Sequence, residues 1–327
     1  MKAVLVTAFG GTEGMVYSDV EMPACGPKQV LIRVVKTSVN FADIKARYGK
    51  KGGGKLPFIP GLDAVGIVER VGEEVEAVQV GQRVMAFPHN GSYAEYIVAD
   101  EMLTFALPDE LDWDTAAACP IVSFTSYRLL ADVARLEPGE TVLIHAAAGG
   151  IGTTATQLAK LLGAGRVIGT VGSRSKAEIA LEAGADCVIA TDTEDFAEKV
   201  KEWTDGEGAH VILDSIAGTV TEKSIECLAP YGRLVHFGNA GGQIGQIKTI
   251  DLHASCRSVL GFSLGTTRSK RPHLLRETAR HVLPYLADGR LKMKIGKHFP
   301  LAEAAKAHDW VESRQSTGKV LLDVREP

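Results

Sequence analysis

The sequence predicts an α/β protein whose parallel sheet is covered by helices on both faces and is preceded by a β-rich region. Three observations predict it. A turn of small residues, Ala146-Ala-Ala-Gly-Gly-Ile-Gly152, joins a short apolar run to a stretch at helical spacing. Strand-like and helix-like segments then alternate from Thr141 to about Phe262, the pattern of repeated βα units. Before residue 110, β-branched runs are broken by Gly and Pro, as strands and turns require.

Taken in order, Met1–Val6 enters a strand at once, which leaves no room for a signal peptide. Val30–Val35, Ala64–Val71 and Arg83–Phe87 are further strands. Lys50-Lys-Gly-Gly-Gly-Lys55 is a flexible cationic loop, either solvated surface or a lid. Leu107-Pro-Asp marks a turn, and helical spacing follows from Trp113 to Arg135 with interruptions. The parallel sheet takes Thr141–Ile144, Arg166–Val171, Cys187–Ala190, His210–Leu213, Arg233–Phe237 and Ser258–Phe262, with helices over Thr153–Leu162, Lys176–Ala183, Asp195–Trp203 and Thr219–Leu228. Helices over His273–Leu286 and Leu301–Arg314 and a strand over Gly318–Val324 close the chain.

The strand, small-residue turn and helix around Gly149 form a dinucleotide pattern. Without side chains, backbone N–H groups and the positive helix end can approach a pyrophosphate. The first glycine of G-x-G-x-x-G is replaced by Ala147; Gly149 and Gly152 hold the other two positions. About 20 residues on, where such units place the group that reads the ribose, the next strand ends in Gly172-Ser-Arg-Ser-Lys176 with no acid at its tip. Arg174 and Lys176 would attract a 2′-phosphate, which favours NADPH over NADH. Ser175, with Glu178 three residues on, is placed to cap the next helix.

The chain has 327 residues, enough for two domains, of which 45% are hydrophobic and 23% charged. A net charge of −4 argues against general affinity for nucleic acid or anionic membrane. No apolar run reaches the roughly 18 residues of a membrane span. The five cysteines are scattered and never paired as C-x-x-C, which points to a reducing, cytoplasmic setting.

Seven segments in order carry a family resemblance: Asn40–Asp43, Pro60–Gly66, Gly91–Tyr96, Ala146–Gly152, Asp214–Gly218, Gly232–Gly238 and Ser316–Lys319. Together they resemble the zinc-free quinone oxidoreductase branch of the medium-chain dehydrogenase/reductase superfamily, nearly end to end. The resemblance implies a partly open, GroES-like β-barrel catalytic domain (1–115 and 265–327) with a Rossmann domain (116–264) inserted, and a cleft where nicotinamide meets substrate. It implies that Gly149, Gly150 and Ile151 form the pyrophosphate turn, and that Ser173, Arg174 and Lys176 face the adenosine phosphate. Ser215, Phe237, Gly238 and Asn239 would line the cofactor, Asn40 and Thr125 would lie near the nicotinamide, and Lys319 would aim at the pyrophosphate. The chain departs from relatives at Thr191 and Lys45, where they often carry tyrosines.

Zinc needs Cys, His or carboxylate ligands. Where zinc-dependent relatives carry a cysteine and a His-Glu pair, this chain has Asn40 and Leu62-Asp63, so no metal is expected; Cys25, Cys119, His89 and Asp63 are the remaining combination. Gly261-Phe-Ser-Leu-Gly265 matches a nucleophile elbow, but the polar Thr266–Pro272 segment predicts no helix directly after Ser263, which such an elbow needs. His145, His210 and His236 read as structural histidines. Asn40, Lys45 and Tyr48 are the candidates for lining the substrate pocket, with plain barrel surface as the alternative for the latter two.

The expectation is a cytoplasmic, homodimeric, NADPH-dependent reductase of a small quinone or α,β-unsaturated carbonyl. The alternatives are an enoyl-thioester reductase and a non-catalytic NADPH-binding protein.

Overall fold

The computed structural model describes residues 1–50, 55–89 and 91–326. In chain order the first strands are β1 (Lys2–Val6), β2 (Met15–Asp19) and β3 (Gln29–Val39), followed by helix α1 (Phe41–Arg47). Strands β4 (Ala64–Val71), β5 (Arg83–Ala86), β6 (Tyr96–Asp100) and β7 (Thr104–Ala106) lead to α2 (Trp113–Ala118) and α3 (Pro120–Tyr127). The middle of the chain alternates β8 (Thr141–Ile144), α4 (Gly150–Leu161), β9 (Arg166–Val171), α5 (Ala177–Glu182), β10 (Cys187–Ala190), α6 (Phe196–Trp203), β11 (Ala209–Asp214), α7 (Thr219–Glu226), β12 (Leu228–His236), α8 (Ile250–His253) and β13 (Ser258–Gly261). Then come α9 (Leu264–Lys270), α10 (His273–Ala287), β14 (Ile295–Pro300), α11 (Ala304–Glu312) and β15 (Lys319–Asp323). The central segment of the cationic loop, 51–54, lies outside the described residues.

Two compact units result, Met1–Phe124 with Thr266–Pro327, and Thr125–Gly265. Residues 116–124, assigned by sequence to the nucleotide domain, fall in the first unit because α2 packs on β3 and β15.

In the first unit the strand order is β14-β15-β3-β4-β5-β7, with β6 also on β3. Pairing is antiparallel except for β14 with β15. Strand β3 is the spine, since it bonds β15, β4 and β6. One face of its apolar half is core: Val30, Ile32 and Val34 are buried with Val68, Val84 and Ile97. The strand runs four residues past the apolar run that marked it in the sequence. Lys36, Thr37, Ser38 and Val39 remain extended because β15 pairs with them, while the Thr37 and Ser38 hydroxyls donate to the Asp63 carbonyl and carboxylate (2.6 and 2.8 Å).

In the second unit six parallel strands run β10-β9-β8-β11-β12-β13 among the described residues. Numbered from the first of them, that order is 3-2-1-4-5-6, the doubly wound Rossmann order. The direction of winding reverses between β8 and β11, so the loops leaving those strands face each other across the switch point. Leu143, Ile168, Ile189, Ile212 and Leu234 form the core under one helical layer. Strand β12 begins five residues earlier than the apolar run Arg233–Phe237, and its early part carries Tyr231 at a positive φ of 59°.

Two local expectations are overturned. Ser175 does not cap α5: it lies inside a short 3-10 turn, Arg174–Lys176, and its hydroxyl pairs with that of Ser173 (2.9 Å). A helix, α9, does start directly after Ser263, because Leu264 and Gly265 extend the polar segment into a full turn. The strained backbone of a nucleophile elbow is nevertheless missing, since Ser263 is not among the described residues with positive φ.

Candidate active site

The glycine turn before α4 is built first by sterics. Gly149 is the extended residue before α4, and Gly150 and Ile151 open the helix, where first-turn N–H groups lack helical acceptors. A Cβ at Gly152 would lie 2.4 Å from the Ala146 carbonyl oxygen and 2.5 Å from Ala147 Cα, so this position accepts no side chain. Ala147, in place of the first glycine, is fully buried and donates its N–H to Thr170 (2.8 Å). Its methyl is accommodated by Gly169 on β9, where an added Cβ would come within 2.7 Å of it. The missing glycine has moved across to the neighbouring strand.

The loops after β11 and β12 are tied together. Phe237 donates its N–H to the Asp214 carbonyl (3.0 Å), and Ala240 to that of Ser215 (2.9 Å). A Cβ on Gly238 would lie 2.9 Å from the Ser215 carbonyl. Ser215, Phe237, Gly238 and Asn239 thus share one place at the carboxyl end of the sheet. Asp214 braces it from below, accepting from the N–H groups of Ile216 and Ala217 and from the Thr221 hydroxyl. Burial pushes this carboxyl up, but the Thr221 and backbone bonds and nearby His145 hold it below the usual range.

After β9, Arg174 is 74% exposed and lies 3.5 Å from Glu194 Oε2. An exposed pair of this kind is weak and leaves the guanidinium available to a stronger anion. Ser173 and Lys176 share its turn, and Thr125 is buried in α3. Thr191 bonds back to the Val171 carbonyl (3.2 Å). His145 sits between the Thr170 and Ser224 hydroxyls (3.0 and 2.9 Å), burial lowering its pKa to about 4, His210 accepts the Thr141 N–H (3.1 Å), and His236 lies 3.5 Å from Asp214.

In the first unit a buried polar array surrounds Asn40, which ends β3 and precedes α1. Asn40 is 7% exposed and Lys319, the first residue of β15, is 5% exposed. Lys319 Nζ donates to Asn40 Oδ1 (2.7 Å) and to the Val39 carbonyl (3.2 Å). Asn40 Nδ2 donates to Asp63 Oδ1 (3.1 Å). Asp63 also accepts from the Ser38 hydroxyl (2.8 Å) and the Ile121 N–H (3.2 Å). Asp43 accepts the Asn40 N–H (2.8 Å) and lies 3.4 Å from the Tyr93 hydroxyl, which in turn meets His308 Nε2 at 3.1 Å.

Sequence reasoning named Asn40 and Lys319 but separated their roles, and it missed Asp43, Tyr93 and His308. The signal lay in the motifs: Asn40–Asp43, Pro60–Gly66, Gly91–Tyr96 and Ser316–Lys319 each send a polar residue to this cluster. The other pocket candidates serve different partners. Tyr48 is exposed and its hydroxyl donates to Glu312 (2.9 Å); Lys45 lies over the Phe41 ring (5.5 Å).

The array does not fit zinc. An amide and an alkyl side chain stand at Asn40 and Leu62, Asp63 is occupied by three donors, and an ammonium already sits on Asn40. Cys25 bonds the Gln29 carbonyl and His89 pairs with Asp100, so neither joins Asp63. Asp114, His298 and Asp323 are grouped as metal ligands could be, but Lys36 bonds both carboxylates there.

The sheet order, the glycine turn and the β-rich unit made from both termini define an oxidoreductase of the medium-chain type. The alcohol dehydrogenase GroES-like domain family matches residues 26–109, and the zinc-binding dehydrogenase family matches residues 150–280. Quinone oxidoreductase from Pseudomonas aeruginosa is 37% identical, with 98% of this chain and 99% of that protein covered. A 2-haloacrylate reductase from Burkholderia is 35% identical over 98% of each. The crystal structure of Escherichia coli quinone oxidoreductase complexed with NADPH superposes with a TM-score of 0.93 at 31% identity, covering 99% of this chain and 100% of that one. The chain therefore belongs to the quinone oxidoreductase branch of the medium-chain dehydrogenase/reductase superfamily, and it is an enzyme.

Burial raises the Asp43 pKa from the usual carboxylate range to about 7. With the folded pKa above the unfolded one, the stability contribution is complete below about pH 4 and is lost as pH rises to 7, by about 1 kcal/mol per pH unit. Asp43→Asn is expected to remove this slope, read as the change in denaturation midpoint between pH 5 and 7.5 relative to wild type. Parallel profiles would mean that Asp43 ionises without penalty.

Proposed function

We propose that the protein is a zinc-independent, NADPH-dependent reductase of small quinones or α,β-unsaturated carbonyls. The observation that carries this reading is the Lys319–Asn40–Asp63 array, which stands where a catalytic metal would need ligands and offers amide and ammonium groups instead. Without a Lewis acid, an isolated ketone or alcohol has no strong electrophilic partner. A conjugated acceptor spreads the arriving charge over its own π-system and needs only hydrogen-bond donors or water.

NADPH, when bound, supplies a hydride from C4 of its nicotinamide. Gly149, Gly150 and Ile151 would hold its pyrophosphate by backbone N–H groups. Ser173, Arg174 and Lys176 would hold the 2′-phosphate, and Ser215, Phe237, Gly238, Asn239 and Thr125 would line the remainder. Asn40 would stand by the acceptor, with Lys45 and Tyr48 toward the outside. The likeness to a 2-haloacrylate reductase favours a conjugated acceptor with an electron-withdrawing group. The most direct test is a panel of acceptors with NADPH: small quinones and enones are expected to be reduced, with little oxidation of simple alcohols by NADP⁺. The reverse pattern would overturn the reading.

Arg174→Ala is expected to raise the NADPH dissociation constant about tenfold or more, since a charge-assisted bond is worth about 1.5–3 kcal/mol, and to leave NADH binding unchanged. Equal losses for both would remove Arg174 from the phosphate site.

We further infer a homodimer joined through β13, an edge strand whose Val259 and Leu260 are only half-buried. Sedimentation at micromolar concentration is expected to give twice the chain mass; a monomer would refute the assignment.

A further inference from the structure

We propose that Lys319 is a positioning residue for the reduction, a buried ammonium that fixes the Asn40 amide, and not a ligand for the cofactor's pyrophosphate. The inference rests on the reductase reading above, with Asn40 beside the acceptor.

The hydrogen bonds define the orientation of Asn40 on both sides. Its Oδ1 accepts from Lys319 at 2.7 Å, and its Nδ2 donates to Asp63 at 3.1 Å. Turning the amide over would set an NH₂ group against an ammonium and a carbonyl against a carboxylate, replacing two attractions by two repulsions. Asp63 cannot swing to relieve this, because the Ser38 hydroxyl and the Ile121 N–H hold it. Lys319 is itself pinned by its second bond, to the Val39 carbonyl at 3.2 Å.

A lysine that served a pyrophosphate would need its ammonium free to meet it. Here two of its three N–H donors are taken, the residue is only 5% exposed, and turning it outward would leave the buried Asn40 oxygen and Val39 carbonyl without that donor. Burial favours the neutral amine, while Asp63 and Asp43 favour the ammonium. Burial is the larger effect and lowers the Lys319 pKa; the geometry, with Nζ 2.7 Å from Asn40 Oδ1, is what sets a hydrogen-bond donor behind Asn40 in a poorly screened interior, where polar groups act more strongly than in water. As hydride arrives, negative charge develops on the acceptor oxygen, and an amide held by Lys319, Asp63 and Ser38 keeps its dipole fixed beside that charge without reorganising.

The test is Lys319→Met, with NADPH affinity followed by fluorescence and turnover by NADPH oxidation at saturating cofactor. The expected result is a fall in kcat of at least tenfold with the NADPH dissociation constant within twofold of wild type. In an Asn40→Ala background the same substitution is expected to cost less than a further twofold, since Lys319 acts through that amide. A tenfold weaker NADPH complex with kcat retained, or fully multiplicative losses in the double variant, would overturn the proposal. If Lys319→Met does not fold, Lys319→Arg keeps the charge but not the geometry, and a several-fold loss of kcat at unchanged NADPH affinity is expected; unchanged kcat would count against it. The Asn40 side-chain amide resonance of the unliganded protein separates this proposal from the reductase reading. It is expected to move in the lysine variant whether or not any acceptor turns over, and an unmoved resonance would overturn the positioning role alone.

Discussion

The contact between Lys319 and Asn40 joins residues 279 positions apart and sets the geometry of the first unit's polar centre. It is possible because β15 pairs antiparallel with the end of β3, with Val320 opposite Val39. That pairing brings the start of β15 beside the residue where β3 gives way to α1. The β3 ladder thus does two things at once. It buries an apolar core along its first half and gathers charged groups at its far end. Asp63 enters from the segment before β4, and Asp43 from the first turn of α1. Lys319 and Asp63 take partners from other elements, as buried ions require, whereas Asp43 answers burial with a raised pKa.

The second unit meets a different constraint, the close approach of backbone to backbone. The turn after β8 works because Gly152 carries no side chain against Ala146 and Ala147, and because Gly169 makes room for the Ala147 methyl. The loops after β11 and β12 are closed in the same way at Gly238. This leaves the carboxyl end of the sheet lined mainly by backbone, which suits a ligand rich in phosphate oxygens. The turn after β9 carries two cationic side chains, Arg174 and Lys176. The glycine turn and the cationic turn are thus separate loops, one shaped by sterics and one by charge.

Much of this was legible in the chain itself. The βα alternation marked the six parallel strands, because buried parallel strands need continuous apolar runs such as Val142–Ile144 and Val167–Ile168. The glycine turn and the acid-free tip after β9 stood out for the same local reason. Elements held by distant partners were harder to read. The polar end of β3, the early part of β12 and helix α9 lack a strong local pattern. Strand register and tertiary hydrogen bonds hold the first, and the second begins in residues broken by a positive φ at Tyr231. Ser175 shows the opposite error: a good capping sequence was absorbed by a 3-10 turn that pairs it with Ser173 instead.

By itself, the sequence determined the fold class, the glycine turn before α4, the cationic turn after β9 and the absence of cysteine and histidine at Asn40 and Leu62, because these depend on residue type and short spacing. Only the tertiary structure decided which charges meet. It brought Lys319 to Asn40, set Asp63 and Asp43 on either side, and sent Tyr48 to Glu312. The physical reason is that burial creates the need for a partner, and strand pairing between the two ends of the chain decides which partner is within reach.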